Sequence, residues 1–384
     1  MNIAIGTQIF LPYTQSWIYR QMRSSGIGIA LVICNQKENL DTFPFEHIAV
    51  IPDRSLFLRK IEYKLKPFLK FLPYYVSRKK RLRYFHALKE NNIHLLHVHF
   101  GIMAVELMEV CEQLRIPLVV TFHGFDITAA IERDPSYHCA LLRLFDKMQT
   151  GIAISHEMKG RLMALGCAEE KIKVSYLGIP LQEFQYIDRT SRKGTVRFLH
   201  AGRFSATKGV PDLIRAFSAA FKKEDEVELI IAGDGEEKPM VLHAIAKSSI
   251  KNKIRFLGKL SNEELQQWRR DCDVFLLNCR TPASGDMEGL PIALLEASCT
   301  GLPIITTKHA GIPEGVTHEH TGLLVDEYDN TALSKAMVRM MDQETRLLLG
   351  KQGRQRMEEK FNLSQCNEIL YRIYEESSNH NNKK

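Results

Sequence analysis

Short apolar runs recur at regular intervals through the first half of the chain. They cover residues 3–5, 29–33, 94–98, 118–122 and 151–154. Residues 101–114 lie between two of these runs and mix apolar with charged positions in the manner of a helix. Short, uniformly apolar strands that alternate with helices are typical of a parallel sheet covered on both faces.

The same pattern restarts in the second half. Apolar runs at 196–200, 229–232, 254–257, 274–277 and 304–306 alternate with helical patterns at 211–222, 236–248, 262–270 and 330–342. The chain therefore predicts an α/β protein of two doubly wound, Rossmann-like domains, residues 1–180 and 181–360, with a hinge within 177–195. We expect the two domains to face each other across a deep cleft, with ligands at the carboxyl ends of the strands.

The C-terminal segment predicts two further features. Residues 361–376 are expected to form a helix that packs back toward the first domain. Residues 377–384 are polar, and their composition predicts a disordered tail.

Length and composition agree with this organisation. A chain of 384 residues exceeds the size of a single core, and 45% apolar with 25% charged residues is typical of a soluble globular protein. No apolar run reaches the roughly 18–20 residues of a spanning helix. The N-terminus lacks the basic region of a signal peptide, and the eight cysteines form no C-x-x-C pair, so we expect a cytoplasmic protein with reduced thiols.

The net charge of +7 is confined to the first domain. Residues 1–180 carry 23 Lys and Arg against 16 Asp and Glu, whereas residues 181–384 carry 29 against 29. Residues 54–89 hold 12 of these basic side chains, interleaved with aromatic and aliphatic residues, against Glu62 alone. This mixture favours contact with an anionic membrane surface over contact with nucleic acid, and the alternative is a solvated helix face.

Two glutamates eight positions apart form the strongest chemical signal. Glu288 and Glu296 flank a predicted transition from loop to helix. Gly289 permits close approach of the backbone to a ligand, and Pro291 suits the first helical position because its missing N–H costs nothing there. The helix N-terminus attracts an anion through its free N–H groups and its dipole.

A second candidate is the loop that follows the predicted strand 196–200. It contains Gly202, Arg203 and Lys208. Arg203 offers a planar, bidentate fork for phosphate oxygens, and Lys208 offers a point charge. Together they can stabilise a diphosphate leaving group without a divalent cation, although surface charge is the alternative for any such pair.

Two weaker motifs also follow predicted strands. Gly233 and Asp234 form a glycine-rich turn that lets the backbone approach a base or ribose, or that is simply a βα turn. His123 follows the strand 118–122 and can donate to a sugar hydroxyl, or can be a packed core histidine. His97 and His99 could bind a metal ion, but no third and fourth metal-ligating residues follow them at a suitable spacing, so we expect no metal site.

The order of these motifs along the chain resembles that of glycosyltransferase family 4, whose members have the GT-B fold. The resemblance spans residues 1 to about 360 and rests on His-Gly-x-Asp, Gly-Arg-x4-Lys-Gly, Ala-Gly-Asp-Gly and Glu-x7-Glu. Residues 10–17 and 285–291 are similar to the bacterial exopolysaccharide branch, the colanic acid and amylovoran transferases.

The resemblance implies a role for each motif. It assigns acceptor binding to residues 1–180 and donor binding to residues 181–360. The implied catalytic residues are His123, Arg203, Lys208 and Glu288, which contact the sugar and the diphosphate. The implied donor-binding residues are Gly202, Gly233, Asp234, Lys259, Leu260, Gly289, Leu290 and Glu296, of which Glu296 holds the ribose.

The resemblance also implies a reaction. It predicts retaining, metal-independent transfer of a hexose from a UDP- or GDP-sugar to a saccharide acceptor linked to a polyprenyl lipid. The enzyme would need no cofactor beyond this co-substrate and would act at the inner face of the cytoplasmic membrane in cell-surface polysaccharide biosynthesis. The alternatives are a nucleotide-sugar epimerase of the same fold and a non-catalytic sugar-nucleotide-binding partner in polysaccharide assembly, and donor hydrolysis without acceptor would exclude the latter.

Overall fold

A computed structural model describes residues 1–12, 15–24, 28–52 and 76–379 of the chain. Two compact units divide it. Unit 1 contains Met1–Gly178 together with the C-terminal segment that begins at Leu363, and unit 2 contains Ile179–Asn362.

Unit 1 is built on a sheet of seven parallel strands. The strands are β1 (Ile3–Phe10), β2 (Ile29–Lys37), β3 (Ile48–Val50), β4 (Leu95–His99), β5 (Leu118–Phe122), β6 (Thr150–Ala153) and β7 (Ile172–Val174). Their order in the sheet is β3-β2-β1-β4-β5-β6-β7, so the order reverses between β1 and β4. The helices are α1 (Ser16–Ser24), α2 (Arg78–Glu90), α3 (Gly101–Leu114), α4 (Ala129–Arg133), α5 (Pro135–Lys147) and α6 (His156–Ala164), with short 3-10 turns at Phe125–Ile127 and Glu169–Lys171.

Unit 2 repeats this architecture with six parallel strands. They are β8 (Val196–Ala201), β9 (Val227–Ala232), β10 (Ile254–Gly258), β11 (Val274–Leu277), β12 (Ile304–Thr307) and β13 (Gly322–Val325). The order is β10-β9-β8-β11-β12-β13, and it reverses between β8 and β11. The helices are α7 (Val210–Ala220), α8 (Lys238–Lys247), α9 (Asn262–Asp271), α10 (Ile292–Cys299), α11 (Ile312–Gly315), α12 (Asn330–Arg339) and α13 (Gln343–Lys360), with 3-10 turns at Ala206–Lys208 and Lys251–Lys253.

A cluster of aromatic side chains fixes the position of β8 and α7. The rings of Phe198, Phe217 and Phe221 pack with centroids 5.1–5.9 Å apart. All three are buried within the main core of unit 2. The loop that joins β8 to α7 is therefore held at both ends by a rigid core, which suits a loop that carries a site.

The last helix, α14 (Leu363–Asn379), belongs to unit 1. Leu370, Ile373 and Tyr374 pack in the core that β1 also lines. The helix continues three residues past the predicted end at 376. Ser377 is buried and hydrogen bonds with Thr150 at 2.8 Å, which explains why polar composition alone wrongly predicted a disordered tail from 377. Residues 380–384 of that tail lie outside the described residues.

The sequence prediction of two parallel, Rossmann-like sheets is confirmed. Strand β1 runs to Phe10, beyond the apolar run 3–5, because its pairing with β2 continues to Phe10, and the polar residue Thr7 is buried inside the strand. All eight cysteines are free thiols. Among the described residues, no helix is both long enough and apolar enough to cross a membrane.

Candidate active site

The candidate residues of unit 2 lie largely where its parallel strands end. They are Gly202 and Arg203 after β8, Gly233 and Asp234 after β9, Lys259 and Leu260 after β10, Asn278 after β11, His309 after β12 and Glu327 after β13. The carboxyl ends of parallel strands share one edge of the sheet, and ligands of doubly wound sheets bind there.

Two glycines let the loops at this edge approach each other closely. Gly233 has a φ of +146°, and a Cβ atom there would lie 1.9 Å from the carbonyl oxygen of Gly202. Its N–H donates to the carbonyl of Gly258 at 2.7 Å, so the turns after β8, β9 and β10 lie side by side. Gly209 has a φ of +55°, and Asn278 donates to its carbonyl at 3.1 Å. These contacts fix both ends of the loop that carries Lys208.

Lys208 and Glu288 form the centre of the edge. Their side chains make an ion pair with 2.8 Å between Nζ and Oε1, and the two side chains are 12% and 28% exposed. Burial lowers the pKa of Lys208, but Cys279, Glu288 and Asp286 raise it to a net value above the ordinary one. Because burial raises the pKa of the Cys279 thiol to about 12, the thiol is neutral near pH 7 and the two carboxylates supply the negative charge.

Neighbouring residues brace this pair. Thr207 donates to Asp286 at 3.1 Å. The Arg280 side chain donates to the carbonyl of Ala206 at 3.0 Å, and its backbone N–H donates to the carbonyl of Thr207 at 2.8 Å. Sequence reasoning missed Arg280, although its place just beyond the end of β11 is the same signal that identified the other residues.

Glu296 is partly buried against an arginine. It lies in the second turn of α10 and forms an ion pair with Arg269, whose side chain is only 3% exposed while that of Glu296 is 12% exposed. The guanidinium of Arg269 also lies 5.3 Å from the ring centroid of Phe184. Glu296 therefore has a structural partner in addition to the ribose role that its motif predicts.

The loop before α10 differs slightly from expectation. Pro291 is the N-cap residue of α10 rather than its first helical residue, and no side chain caps the helix. Gly289 and Leu290 are both buried. Leu294 donates its N–H to the carbonyl of Pro291 at 3.1 Å, and the N–H groups of the two helical residues before it are suited to an anion.

Arg203 has a different ionic partner from Lys208 and Glu288. Its side chain is 64% exposed and pairs with Glu236 at 3.1 Å. Asp234 pairs with Lys238 at 3.2 Å, and Lys259 is exposed beside a half-buried Leu260. The structure thus brings Lys208 and Glu288 together but not Arg203, which must exchange Glu236 for phosphate if it binds the donor.

In unit 1, His123 lies in an aromatic and imidazole cluster. Its Nε2 is 3.3 Å from Nδ1 of His99, and its ring packs against Trp17 and Phe100 with centroids 4.9 and 4.4 Å away. Burial, with a smaller contribution from His97, lowers the pKa of His123 to about 3. The ring is therefore neutral near pH 7 and can act as a hydrogen-bond donor or acceptor but not as a cation.

Asp126 fixes the loop that carries His123. Its carboxylate is fully buried and accepts N–H groups from Gly101, His123 and Gly124 at 2.8–3.0 Å. Burial raises the pKa of Asp126, and these backbone bonds oppose that rise. A carboxylate saturated by backbone donors positions the loop and is not free to act as a base.

Metal-binding geometry is absent from the part of the chain that the structure describes. No group of three or more His, Cys, Asp or Glu side chains there is arranged to hold an ion. His97 instead hydrogen bonds to Tyr374 at 2.6 Å and to Thr121 at 2.7 Å.

Only part of the basic segment 54–89 can be placed, since residues 53–75 lie outside the described residues. In α2, Lys80 pairs with the buried Glu106 and Arg81 pairs with Glu109, both at 2.5 Å. These two side chains therefore pack α2 against α3. The other basic residues of α2 are exposed and form what we call the exposed basic face of α2: Arg78, Lys79, Arg83 and Lys89.

Comparison with known proteins identifies the family. The family model described as Glycosyltransferase Family 4 matches residues 21–183, and that described as Glycosyl transferases group 1 matches residues 183–356. The amylovoran biosynthesis glycosyltransferase AmsK of Erwinia amylovora is 32% identical, over 72% of this chain and 69% of its own. The putative colanic acid biosynthesis glycosyltransferase WcaL of Escherichia coli K12 is 30% identical, over 71% and 68%.

The fold also matches solved structures. The structure of HepE from Anabaena in complex with UDP superposes with a TM-score of 0.80, at 17% identity, over 98% of this chain and 100% of that one. This likeness shows the fold, and the two relatives at 30% identity or more show the family. The chain therefore belongs to glycosyltransferase family 4 and has the GT-B fold.

Proposed function

We propose that this glycosyltransferase moves a hexose from a nucleotide-diphosphate sugar to a saccharide acceptor with retention of the anomeric configuration. The observation that carries the proposal is the ion pair of Lys208 and Glu288, 2.8 Å apart at the carboxyl edge of the unit 2 sheet. The helix α10, which begins four residues after Glu288, has no side-chain cap at its N-terminus. An ammonium and a helix N-terminus together are suited to a diphosphate.

The donor is proposed to replace the present ion-pair partners of Lys208 and Arg203. The diphosphate replaces Glu288 as the partner of Lys208, and it draws Arg203 away from Glu236. The released Glu288 carboxylate then accepts hydroxyl groups of the sugar, while Glu296 accepts those of the ribose. HepE, which shares the fold, is bound to UDP in its crystal structure, and this supports a nucleotide-sugar donor.

The proposed reaction is a substitution on one face of the sugar. The acceptor hydroxyl attacks the anomeric carbon from the side on which the diphosphate leaves. As the bond from that carbon to the diphosphate oxygen breaks, the new glycosidic bond forms and the hydroxyl proton passes to a diphosphate oxygen. Lys208 and the N–H groups of α10 stabilise the charge on the leaving group, which is the largest contribution to the rate. The neutral His123 ring donates to a sugar hydroxyl.

This mechanism needs no divalent cation. The charge that develops on the diphosphate is balanced by Lys208, whose raised pKa keeps it cationic through neutral pH, and by Arg203. Turnover should therefore persist in a chelator. Loss of activity in chelator with recovery on addition of manganese would contradict this part of the proposal.

The acceptor is proposed to be a polyprenyl-linked saccharide in cell-surface polysaccharide biosynthesis. AmsK and WcaL are named for amylovoran and colanic acid biosynthesis, which supports this class of product. A lipid-linked acceptor places the enzyme at the inner face of the cytoplasmic membrane. The exposed basic face of α2 has the charge to hold it there, since each Lys or Arg near an anionic surface contributes about 1 kcal/mol.

A donor panel tests the proposal. The purified protein is incubated with UDP- and GDP-sugars, with and without chelator, and release of nucleoside diphosphate is measured. We expect slow hydrolysis of one donor without acceptor, and faster release when a lipid-linked saccharide is added. Reversible conversion of one nucleotide sugar into another would instead indicate an epimerase, and binding without release would indicate a non-catalytic partner.

A further inference from the structure

The backbone around Glu288 is hydrogen bonded to the loop that follows the neighbouring strand β12. The N–H of Glu288 donates to Nε2 of His309 at 3.1 Å. The next residue, Gly289, accepts from the N–H of Gly311 at 3.0 Å. The loop before α10 is thus joined at two successive residues to the loop that follows β12.

His309 is itself held by a carboxylate. Its side chain is fully buried, and its Nδ1 lies 2.6 Å from Oε1 of Glu327. Because Nε2 accepts the N–H of Glu288, the ring proton of the neutral imidazole lies on Nδ1 and donates to Glu327. Oε2 of Glu327 accepts the backbone N–H of Thr281 at 2.7 Å. Both carboxylate oxygens of Glu327 therefore have donors, so the tautomer and the orientation of the ring are set.

We propose that His309, oriented by Glu327, is a positioning residue that holds Glu288 in place for the donor sugar. This inference rests on the proposed function, because the bond between Glu288 and His309 matters for catalysis only if the Glu288 carboxylate faces the donor sugar. When the donor displaces Glu288 from Lys208, that side chain loses its ion pair. The bond from its own backbone to His309 keeps the Cα position fixed, so the carboxylate turns toward the sugar without movement of the loop.

Three substitutions of His309 separate positioning from packing. His309→Gln keeps an acceptor near the position of Nε2. His309→Asn keeps a group near Nδ1 that reaches Glu327 but not Glu288, and His309→Phe keeps ring volume alone. We expect His309→Phe and His309→Asn to lower kcat by up to about 100-fold, because a small misplacement of a catalytic group costs that much. His309→Gln should retain most of kcat, and Glu327→Gln should fall between.

A matched control uses another histidine of unit 2. Nδ1 of the exposed His318 accepts the N–H of Leu324 at 3.0 Å, a bond of the same kind that does not involve the Glu288 loop. His318→Phe should leave kcat unchanged. Affinity for the free nucleoside diphosphate, measured by calorimetry, should be the same in all variants because the sugar is absent.

The outcomes distinguish the inference from the function on which it rests. Equal kcat in wild type and His309→Asn would overturn the inference, as would equal losses in the Gln and Asn variants, which would mean that His309 acts by packing. If His309→Phe fails to fold, the comparison of Gln with Asn, at matched melting temperature, still decides. A wild type that consumes no donor at all would overturn the proposed function and the inference with it.

Discussion

Replacement of Lys208 by methionine removes the ammonium and keeps most of the apolar chain. In the folded protein Glu288 then loses a partner 2.8 Å away. The loss of a hydrogen bond to a charged group costs about 1.5–3 kcal/mol. The cost should stay below the 3–5 kcal/mol of a fully buried pair, because Glu288 is 28% exposed and keeps some contact with water. For a domain of this size, about 2 kcal/mol corresponds to a melting temperature lower by about 4–8 °C.

The free-energy cost to catalysis, about 2.7–4 kcal/mol, should exceed the cost to folding. Removal of one preorganised group that stabilises transition-state charge typically lowers kcat by about 10²–10³-fold. Calorimetry and donor hydrolysis on the same preparation give both numbers. The pKa of Lys208 is raised, so its contribution to stability is complete below the unfolded pKa of about 10.4 and is lost only as pH rises through the higher folded value. The stability difference between Lys208→Met and wild type should therefore be constant from pH 6 to pH 9.

A matched control is available in unit 1. Lys159 and Glu169 also lie 2.8 Å apart, but their side chains are 26% and 62% exposed and they belong to no candidate site. Lys159→Met should cost less than about 1 kcal/mol and leave turnover unchanged. If Lys208→Met lowers kcat no more than this control does, or only in proportion to its loss of stability, Lys208 is structural and the diphosphate assignment is wrong.

Three further predictions concern the other parts of the protein. Glu296→Ala should both weaken nucleotide binding and lower the melting temperature. It removes the ion-pair partner of the buried Arg269, and this loss should lower the free energy of unfolding by about 3 kcal/mol. Weaker nucleotide binding with an unchanged melting temperature would mean that the pair does not contribute to the fold. Burial lowers the pKa of His97 to about 3 and lowers that of His99 as well, so both rings are neutral in the folded protein but bind protons when it unfolds. Urea titrations should therefore show the free energy of unfolding falling by about 1.4 kcal/mol per pH unit for each ring below about pH 6.5. Constant stability from pH 7 to pH 5 would contradict this prediction. Reversal of the exposed basic face of α2 to glutamate should abolish binding to anionic vesicles at low salt and leave donor hydrolysis intact, whereas a wild type that ignores such vesicles would refute the membrane contact.

The sequence predicted the fold because its signals are local. Predominantly apolar runs of three to five residues marked the central strands of both sheets. The edge strands β3, β7 and β13 were not predicted. Burial of Ser377 likewise depends on Thr150, which is distant in sequence, so composition could not reveal it.

The candidate site was predictable in position but not in its pairings. Each motif follows a strand, and parallel strands end at one edge, so the edge could be foreseen. The ion pair of Lys208 and Glu288 joins residues far apart along the chain, and so does the bond from Glu288 to His309. Such contacts depend on the order of strands in the sheet. The motif predicted that Arg203 follows strand β8, but it did not predict the ion pair of Arg203 with Glu236.

The most direct measurement of the central claim is a proton NMR time course of the wild-type enzyme with an α-linked nucleotide-diphosphate hexose and a saccharide acceptor. The anomeric signal of the donor reports its consumption, and the coupling constant of the new anomeric signal reports the configuration of the product. We expect the donor signal to decay in the presence of chelator, free nucleoside diphosphate to accumulate, and an α-linked product to form first, with Lys208→Met far slower. Formation of a β-linked product, or a donor signal that stays constant across every UDP- and GDP-sugar tested, would contradict the account.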